Sequence, residues 1–217
     1  MVQMKQRFII ASDAAPYLAG LGILTAIALY VFPPIAVLPG ILLLFVAFFF
    51  RNPKRRIPAD EGVLVSPADG TIMDVTEIYE DRFLKSKAVK VTIFLSVFNV
   101  HLNRSPISGT VKYRSYRPGK MIPAFKSHAS DINEKNYVGI ENDTLKVMVI
   151  QITGFIARRI VCCVENNDTL SRGDLFGLIK FGSCTELIVP ADVHIIVAKG
   201  QKVVGGETVI GRLKDEH

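Results

Sequence analysis

The sequence predicts a mainly β protein: a β-sandwich or barrel-like domain with lipoyl-like hairpins, preceded by an N-terminal hydrophobic helical hairpin. Three observations carry this. The apolar residues, 49% of the 217, are concentrated between residues 17 and 50, where Pro33-Pro34 splits them into two blocks. From Ile57 onward the texture changes to short β-branched runs separated by turn residues. Within that region Ser66-Pro67-Ala68-Asp69-Gly70-Thr71-Ile72 is echoed by Ser105-Pro106-Ile107-Ser108-Gly109-Thr110-Val111. Each copy reads as a turn feeding a strand, as at two equivalent corners of a sandwich or barrel.

The first element is the hairpin. One helix through Pro33-Pro34 is disfavoured, because proline removes backbone donors and clashes with the preceding turn. Residues 17–32 and 35–50 hold 16 residues each, about 24 Å of helix apiece. That is short of the roughly 30 Å hydrocarbon core. A helical hairpin turning at the double proline closes its own backbone hydrogen bonds, as a membrane interior demands. Lys5 and Arg7 precede it, and Arg51, Lys54, Arg55 and Arg56 follow. The basic flanks put both ends in the cytoplasm and suit phospholipid headgroups. Residues 1–56 are therefore expected to anchor the chain to the cell membrane, with residues 57–217 on the cytoplasmic face.

In the second region, strands are predicted over residues 62–65, 70–75, 88–95, 109–116, 144–153, 160–164, 178–181, 187–190 and 194–198. Residues 126–136 read either as a short helix or as a polar loop. The tail from Ala198 to Gly211 is similar to the hairpins of biotinyl and lipoyl domains.

Net charge is +6, which suits a negatively charged partner. With a long apolar block present, that partner is read as a membrane and not as nucleic acid. The three cysteines are Cys162, Cys163 and Cys184. Their odd number argues against a disulfide framework, adjacent Cys162 and Cys163 lack a zinc spacing, and no metal site is expected.

Gly182-Ser183 lies between two predicted strands. One reading is an ordinary turn. The other is self-cleavage: a serine hydroxyl can add to the preceding carbonyl if the backbone bends there, and glycine admits that bend. An N-to-O acyl shift and β-elimination would then cut the chain before Ser183 and leave a pyruvoyl group.

Four stretches in series resemble one family. They are Val65-Ser66-Pro67-Ala68-Asp69-Gly70; Phe98-Asn99-Val100-His101-Leu102-Asn103-Arg104-Ser105-Pro106; Gln151-Ile152-Thr153-Gly154-Phe155-Ile156-Ala157-Arg158-Arg159-Ile160; and Phe176-Gly177-Leu178-Ile179-Lys180-Phe181-Gly182-Ser183. Their order and spacing, with the preceding apolar hairpin, resemble the phosphatidylserine decarboxylases in their short, membrane-tethered form. The resemblance covers nearly the whole chain. It implies cleavage between Gly182 and Ser183, and a covalent pyruvoyl cofactor derived from Ser183. It further implies two fragments that stay associated, and decarboxylation of phosphatidylserine to phosphatidylethanolamine. The archaeal enzymes acting on archaetidylserine are similar in sequence, so the ether-lipid substrate stays open, as does a homo-oligomer.

An amino-acid decarboxylase needs an electron sink at the substrate's α-nitrogen, which a pyruvoyl group supplies in place of pyridoxal phosphate. Protein groups must activate Ser183 and return a proton after carbon dioxide leaves. Asp69 and His101 are the candidates. An Asp in a turn is as readily bonded to its own backbone, and a lone histidine on an apolar strand is commonly structural; the resemblance tips both towards function. Longer family members carry two histidines three apart here, whereas this chain has His101 and Arg104. Either His101 serves both steps, or Asp69 acts on Ser183 more directly. Arg104, Arg158, Arg159 and His128 are candidate substrate contacts, since guanidinium forks suit phosphate and carboxylate.

Two other classes compete. A serine hydrolase built on Ser183 would want a Gly-x-Ser-x-Gly elbow or a Ser-x-x-Lys pair, and neither is present. A membrane-tethered, non-catalytic lipoyl-like module accounts for the tail and the repeated corners but leaves Gly182-Ser183 without a purpose.

Overall fold

The computed structural model describes residues 12–119, 132–154, 159–180 and 183–213. The chain divides into two compact units, one of Lys5–Lys54 and one that takes in Arg55–His217.

In the first unit a short 3-10 turn, Ser12–Ala14, leads into helix α1, Ala15–Val31. Pro33-Pro34 ends α1 as expected: Phe32 turns extended, and Pro33–Ala36 forms a second 3-10 turn. Helix α2 follows over Val37–Phe49 and packs on α1. Tyr17 stacks on Phe50 with ring centroids 5.9 Å apart. At 17 and 13 residues the two helices run about 26 and about 20 Å. Among the described residues, no helix is long and apolar enough to cross a membrane.

The second unit is mainly β. Its strands are β1 (Val63–Val65), β2 (Gly70–Glu80), β3 (Ser86–Leu95), β4 (Leu102–Arg104), β5 (Gly109–Arg117), β6 (Lys135–Glu141) and β7 (Lys146–Thr153). There follow β8 (Arg159–Cys162), β9 (Thr169–Leu170), β10 (Leu175–Lys180), β11 (Ser183–Pro190), β12 (His194–Ile195), β13 (Lys202–Val203) and β14 (Val209–Arg212). Eight form one curled antiparallel sheet, in the order β13-β2-β3-β11-β7-β6-β5-β9. Two three-stranded sheets, β1-β14-β12 and β4-β10-β8, complete the unit.

Alternation along the central strands sorts their side chains to two faces. Val91, Ile93, Leu95, Val147, Val149, Leu187 and Val189 join Phe176 and Ile210 in the main core. Met148, Ile150, Ile152, Cys184 and Ile188 pack on the other face with Tyr137. Both faces of β7 and β11 are covered, so these strands read as near-continuous buried runs.

The repeated Ser-Pro-x-x-Gly-Thr pattern is a true structural repeat. Ser66 Oγ donates to Ala68 O at 2.7 Å, and Ser105 Oγ donates to Ile107 O at 2.6 Å. The corners clasp each other through Val65 N–H to Pro106 O at 3.0 Å and Arg104 N–H to Pro67 O at 2.9 Å. Gly70 and Gly109 open β2 and β5 against a neighbouring strand. A Cβ on either would fall 2.2 Å from Phe94 O or 2.6 Å from Glu141 O, so neither position admits a side chain.

Several boundaries differ from the sequence expectation. Of residues 126–136, Lys135 and Asn136 open strand β6, and 126–131 lie outside the described residues. The strand expected from Leu187 begins four residues earlier, at Ser183, because polar Thr185 and Glu186 are buried within the sheet. β10 and β11 flank Gly182-Ser183 but belong to different sheets, so the chain crosses between sheets there and makes no hairpin.

Candidate active site

Ser183 opens β11 in the middle of the large sheet. It pairs with Leu95 of β3 on one side and Thr153 of β7 on the other. Cys184, one residue on, stands opposite Phe94, and Phe94 stands opposite Thr71 of β2. Asp69 lies two residues before Thr71, and the chain beyond Leu95 reaches His101 six residues later. The register therefore gathers position 183, Asp69 and His101 at one end of the sheet. Gly182 lies outside the described residues.

Just inside that end, the lining changes from aliphatic to polar. Asn136 Nδ2 donates to Gln151 Oε1 at 2.8 Å, Gln151 Nε2 to Asn103 Oδ1 at 2.9 Å, and Asn103 Nδ2 to Thr185 Oγ1 at 2.9 Å. All four residues are buried. The relay ties β6, β7, β4 and β11 together two residues from Ser183.

Asp69 does not bond its own backbone, as an ordinary turn aspartate would. Arg55 Nη2 sits 2.9 Å from both of its carboxylate oxygens, and Gly205 N–H donates to Oδ1 at 2.8 Å. The basic run expected to meet headgroups is thus divided. Arg55 is turned inward to Asp69, while Arg51 lies over the Phe48 ring at 3.8 Å.

His101 is fully buried, and its Nδ1 lies 2.9 Å from Asn99 O. A carbonyl only accepts, so Nδ1 carries the hydrogen, and in the neutral ring Nε2 is the basic nitrogen. Its own carbonyl accepts Ile179 N–H at 3.1 Å, fixing it beside β10.

Arg104 is 5% exposed and donates from Nη1 to Gly173 O at 2.9 Å. Burial, and then the neighbouring Arg55, bring its guanidinium down to about 10, against the pull of Asp69, Asp174 and Glu207. It remains protonated at neutral pH and shares one charged neighbourhood with Arg55 and Asp69. Arg159 is exposed at the start of β8, opposite Lys180. Arg158 and His128 lie outside the described residues. Burial pushes the Cys184 thiol up, away from any role as a thiolate nucleophile.

Arg55, Gly205, Asn103 and Gln151 were not singled out as site residues from the sequence. Gly205 carried a signal, as it lies in the lipoyl-like tail. Arg55 was hidden in a basic run, where a buried arginine looks like its neighbours. The two amides become partners only through a register that joins strands 48 residues apart in sequence.

The sequence profile of the family described as phosphatidylserine decarboxylase matches residues 42–211, which makes the protein an enzyme of the carboxy-lyase class. A phosphatidylserine decarboxylase proenzyme of Carboxydothermus hydrogenoformans is 54% identical over 97% of this chain and 100% of its own. Proteins of the same name from Symbiobacterium thermophilum and Syntrophus aciditrophicus are 49% and 42% identical. Each of these alignments covers 96% of this chain, and they take in 97% and 99% of the respective relatives. The chain belongs to the phosphatidylserine decarboxylase family.

Proposed function

We propose that the chain converts phosphatidylserine to phosphatidylethanolamine on a pyruvoyl group made from its own Ser183. The observation that carries this reading is the place of Ser183. It is the first residue of a strand held on both sides, at the end of the sheet where Asp69 and buried His101 gather. A cut just before such a residue leaves its new terminus anchored, and so the residues present fit the group.

The Ser183 hydroxyl adds to the Gly182 carbonyl, with its proton passing to a base. The Gly182–Ser183 C–N bond breaks, the Ser183 nitrogen takes up a proton, and an ester forms. Loss of the Ser183 Cα proton expels the Gly182 carboxylate, and addition of water then releases ammonia and leaves the ketone. Once formed, the pyruvoyl group supplies the electron sink at the substrate's α-nitrogen. Asp69 serves as the base in the acyl shift, and His101, with Nε2 basic, holds and returns the proton at the substrate's α-carbon. Arg104 adds fixed positive charge beside Asp69, which favours the anionic end of a lipid headgroup. These roles read the headgroup alone, so they apply equally to an ester or an ether lipid.

The helical unit is proposed to hold the chain at the cytoplasmic face of the cell membrane. Ile23, Leu24, Ile27, Tyr30, Val31, Leu38 and Leu44 are all exposed on it, and an apolar surface of this kind in water marks a membrane or partner contact.

Intact mass under denaturing conditions tests the cleavage. Two chains are expected, residues 1–182 and 183–217, the second 35 residues long with a ketone that reacts with hydrazine. A single uncut chain that still decarboxylates the lipid would refute the reading.

A further inference from the structure

The two repeated corners ask the same thing of their fourth residue. At the second corner, Ser108 Oγ accepts the Arg172 N–H at 2.9 Å, and Gly173 N–H donates to Ser105 O at 2.8 Å. At the first, Asp69 Oδ1 accepts the Gly205 N–H at 2.8 Å, and Gly206 N–H donates to Ser66 O at 2.8 Å. Gly173 and Gly206 even share a left-handed backbone, with φ of +85° and +80°. A serine hydroxyl therefore suffices to close such a corner.

The carboxylate at position 69 exceeds that need, and it comes with a costly partner. The Arg55 side chain is 8% exposed, and its Nε is buried with no hydrogen-bond partner among the described residues. Arg172 at the serine-closed corner also buries its Nε without a partner, but its guanidinium ties the carbonyls of Pro58, Asp60 and Val63, whereas that of Arg55 is committed to the Asp69 carboxylate. The Arg55 pair also sets which oxygen can react. A carboxylate offers about four lone-pair sites. Arg55 and Gly205 N–H occupy Oδ1, and Arg55 occupies one site of Oδ2. The remaining site, on Oδ2, meets no donor among the described residues.

We propose that Arg55 is a positioning residue for self-cleavage: with the Gly205 N–H it locks Asp69 so that Oδ2 alone takes up the proton. This rests on the reading that Asp69 serves the acyl shift. Gly205 belongs to the 183–217 side of the cut and Arg55 to the 1–182 side, so both would-be fragments orient the carboxylate. A Cβ at Gly205 would stand 3.1 Å from the Ala68 carbonyl carbon and 3.2 Å from Asp69 Oδ1, which keeps that approach to a glycine.

The test is cell-free synthesis of the full chain, following release of the 35-residue fragment over time. Asp69→Ser should stop cutting, and it should lower Tm because it leaves the Arg55 guanidinium buried without its partner. Arg55→Ala should slow cutting on the order of 100-fold, the usual penalty for misplacing a reacting group by an ångström. Millimolar guanidinium should restore part of that loss in Arg55→Ala and none in Asp69→Asn. Arg55→Lys, which keeps the charge on a shorter and freely rotating ammonium, should fall between. Cutting of Arg55→Ala at the parent rate overturns the proposal. So does a slow variant that neither guanidinium nor lysine improves, since Arg55 would then be only a structural tie. Should Arg55→Ala not fold, Arg55→Lys decides: a reduced rate at unchanged Tm supports the lock, and the parent rate overturns it. If Asp69→Asn cuts normally, the underlying role of Asp69 fails instead, and that outcome is read separately.

Discussion

A buried amide is stable only while both its donor and its acceptor ends are occupied, and Asn103 illustrates how much can depend on one such side chain. Its Oδ1 takes the Gln151 N–H and its Nδ2 serves Thr185. Replacing it with leucine, close in size, strands both partners among buried side chains. Each stranded group costs about 1–3 kcal/mol, so Asn103→Leu is expected to destabilise the fold by about 3 kcal/mol and to loosen β11 beside Ser183. Thermal unfolding of the full chain in detergent checks the first effect, and the rate of fragment release checks the second. Unchanged Tm and rate would show that the relay is incidental. The sequence placed Asn103 beside His101 in a motif but gave no hint of this work, because its partners lie on other strands. His101 and Asp69 were legible as candidates through their surroundings, while the Asn99 carbonyl that fixes the His101 tautomer and the arginine that holds Asp69 are brought in only by the fold.

At the scale of elements, legibility followed contrast between neighbouring residues. Strand β3 alternates well enough to be seen, and Pro33-Pro34 marks the helix break outright. Strand β6, Lys-Asn-Tyr-Val-Gly-Ile-Glu, is buried along nearly all its length yet opens on two polar residues. Its polar start satisfies itself by packing and hydrogen bonding that no local pattern reports. The same holds for the first turns of β11, where Thr185 and Glu186 hid the strand's true beginning. That longer β11 has a consequence for the processed protein. The segment after the proposed cut contributes β11 between β3 and β7, β13 against β2, and β14 against β1. Every one of those partners lies before the cut. The 183–217 fragment is therefore expected to co-purify with residues 1–182 through gel filtration, and to separate only in denaturant. Loss of the small fragment under native conditions would contradict this register.

For the whole molecule, the proposed reading gives separate jobs to the two units that divide at Lys54/Arg55. The β unit holds the repeated corners, the amide relay and the Arg55–Asp69 pair, the described residues on which the proposed cut rests. The tail reads from sequence as similar to lipoyl hairpins, but the segment around Gly173, which makes the matching corner, does not. The second copy is one residue shorter after its glycine and carries Ser-Arg where the tail carries Val-Gly. What the helical unit adds is apolar surface, and at the proposed membrane contact the chain's net charge of +6 would assist at anionic lipid. Replacing Leu24 and Ile27, both exposed on α1, with aspartate should cost about 6–8 kcal/mol of insertion. The doubly substituted chain is expected to stay behind when anionic vesicles are floated through sucrose, while the parent rises with them. High salt should weaken the parent's association without abolishing it, since charge screening leaves the apolar term in place. Cutting at Gly182–Ser183 should proceed at the parent rate in both chains. A variant that still floats would locate the membrane contact elsewhere, and one that floats poorly and also fails to cut would show that the helices support the β unit after all.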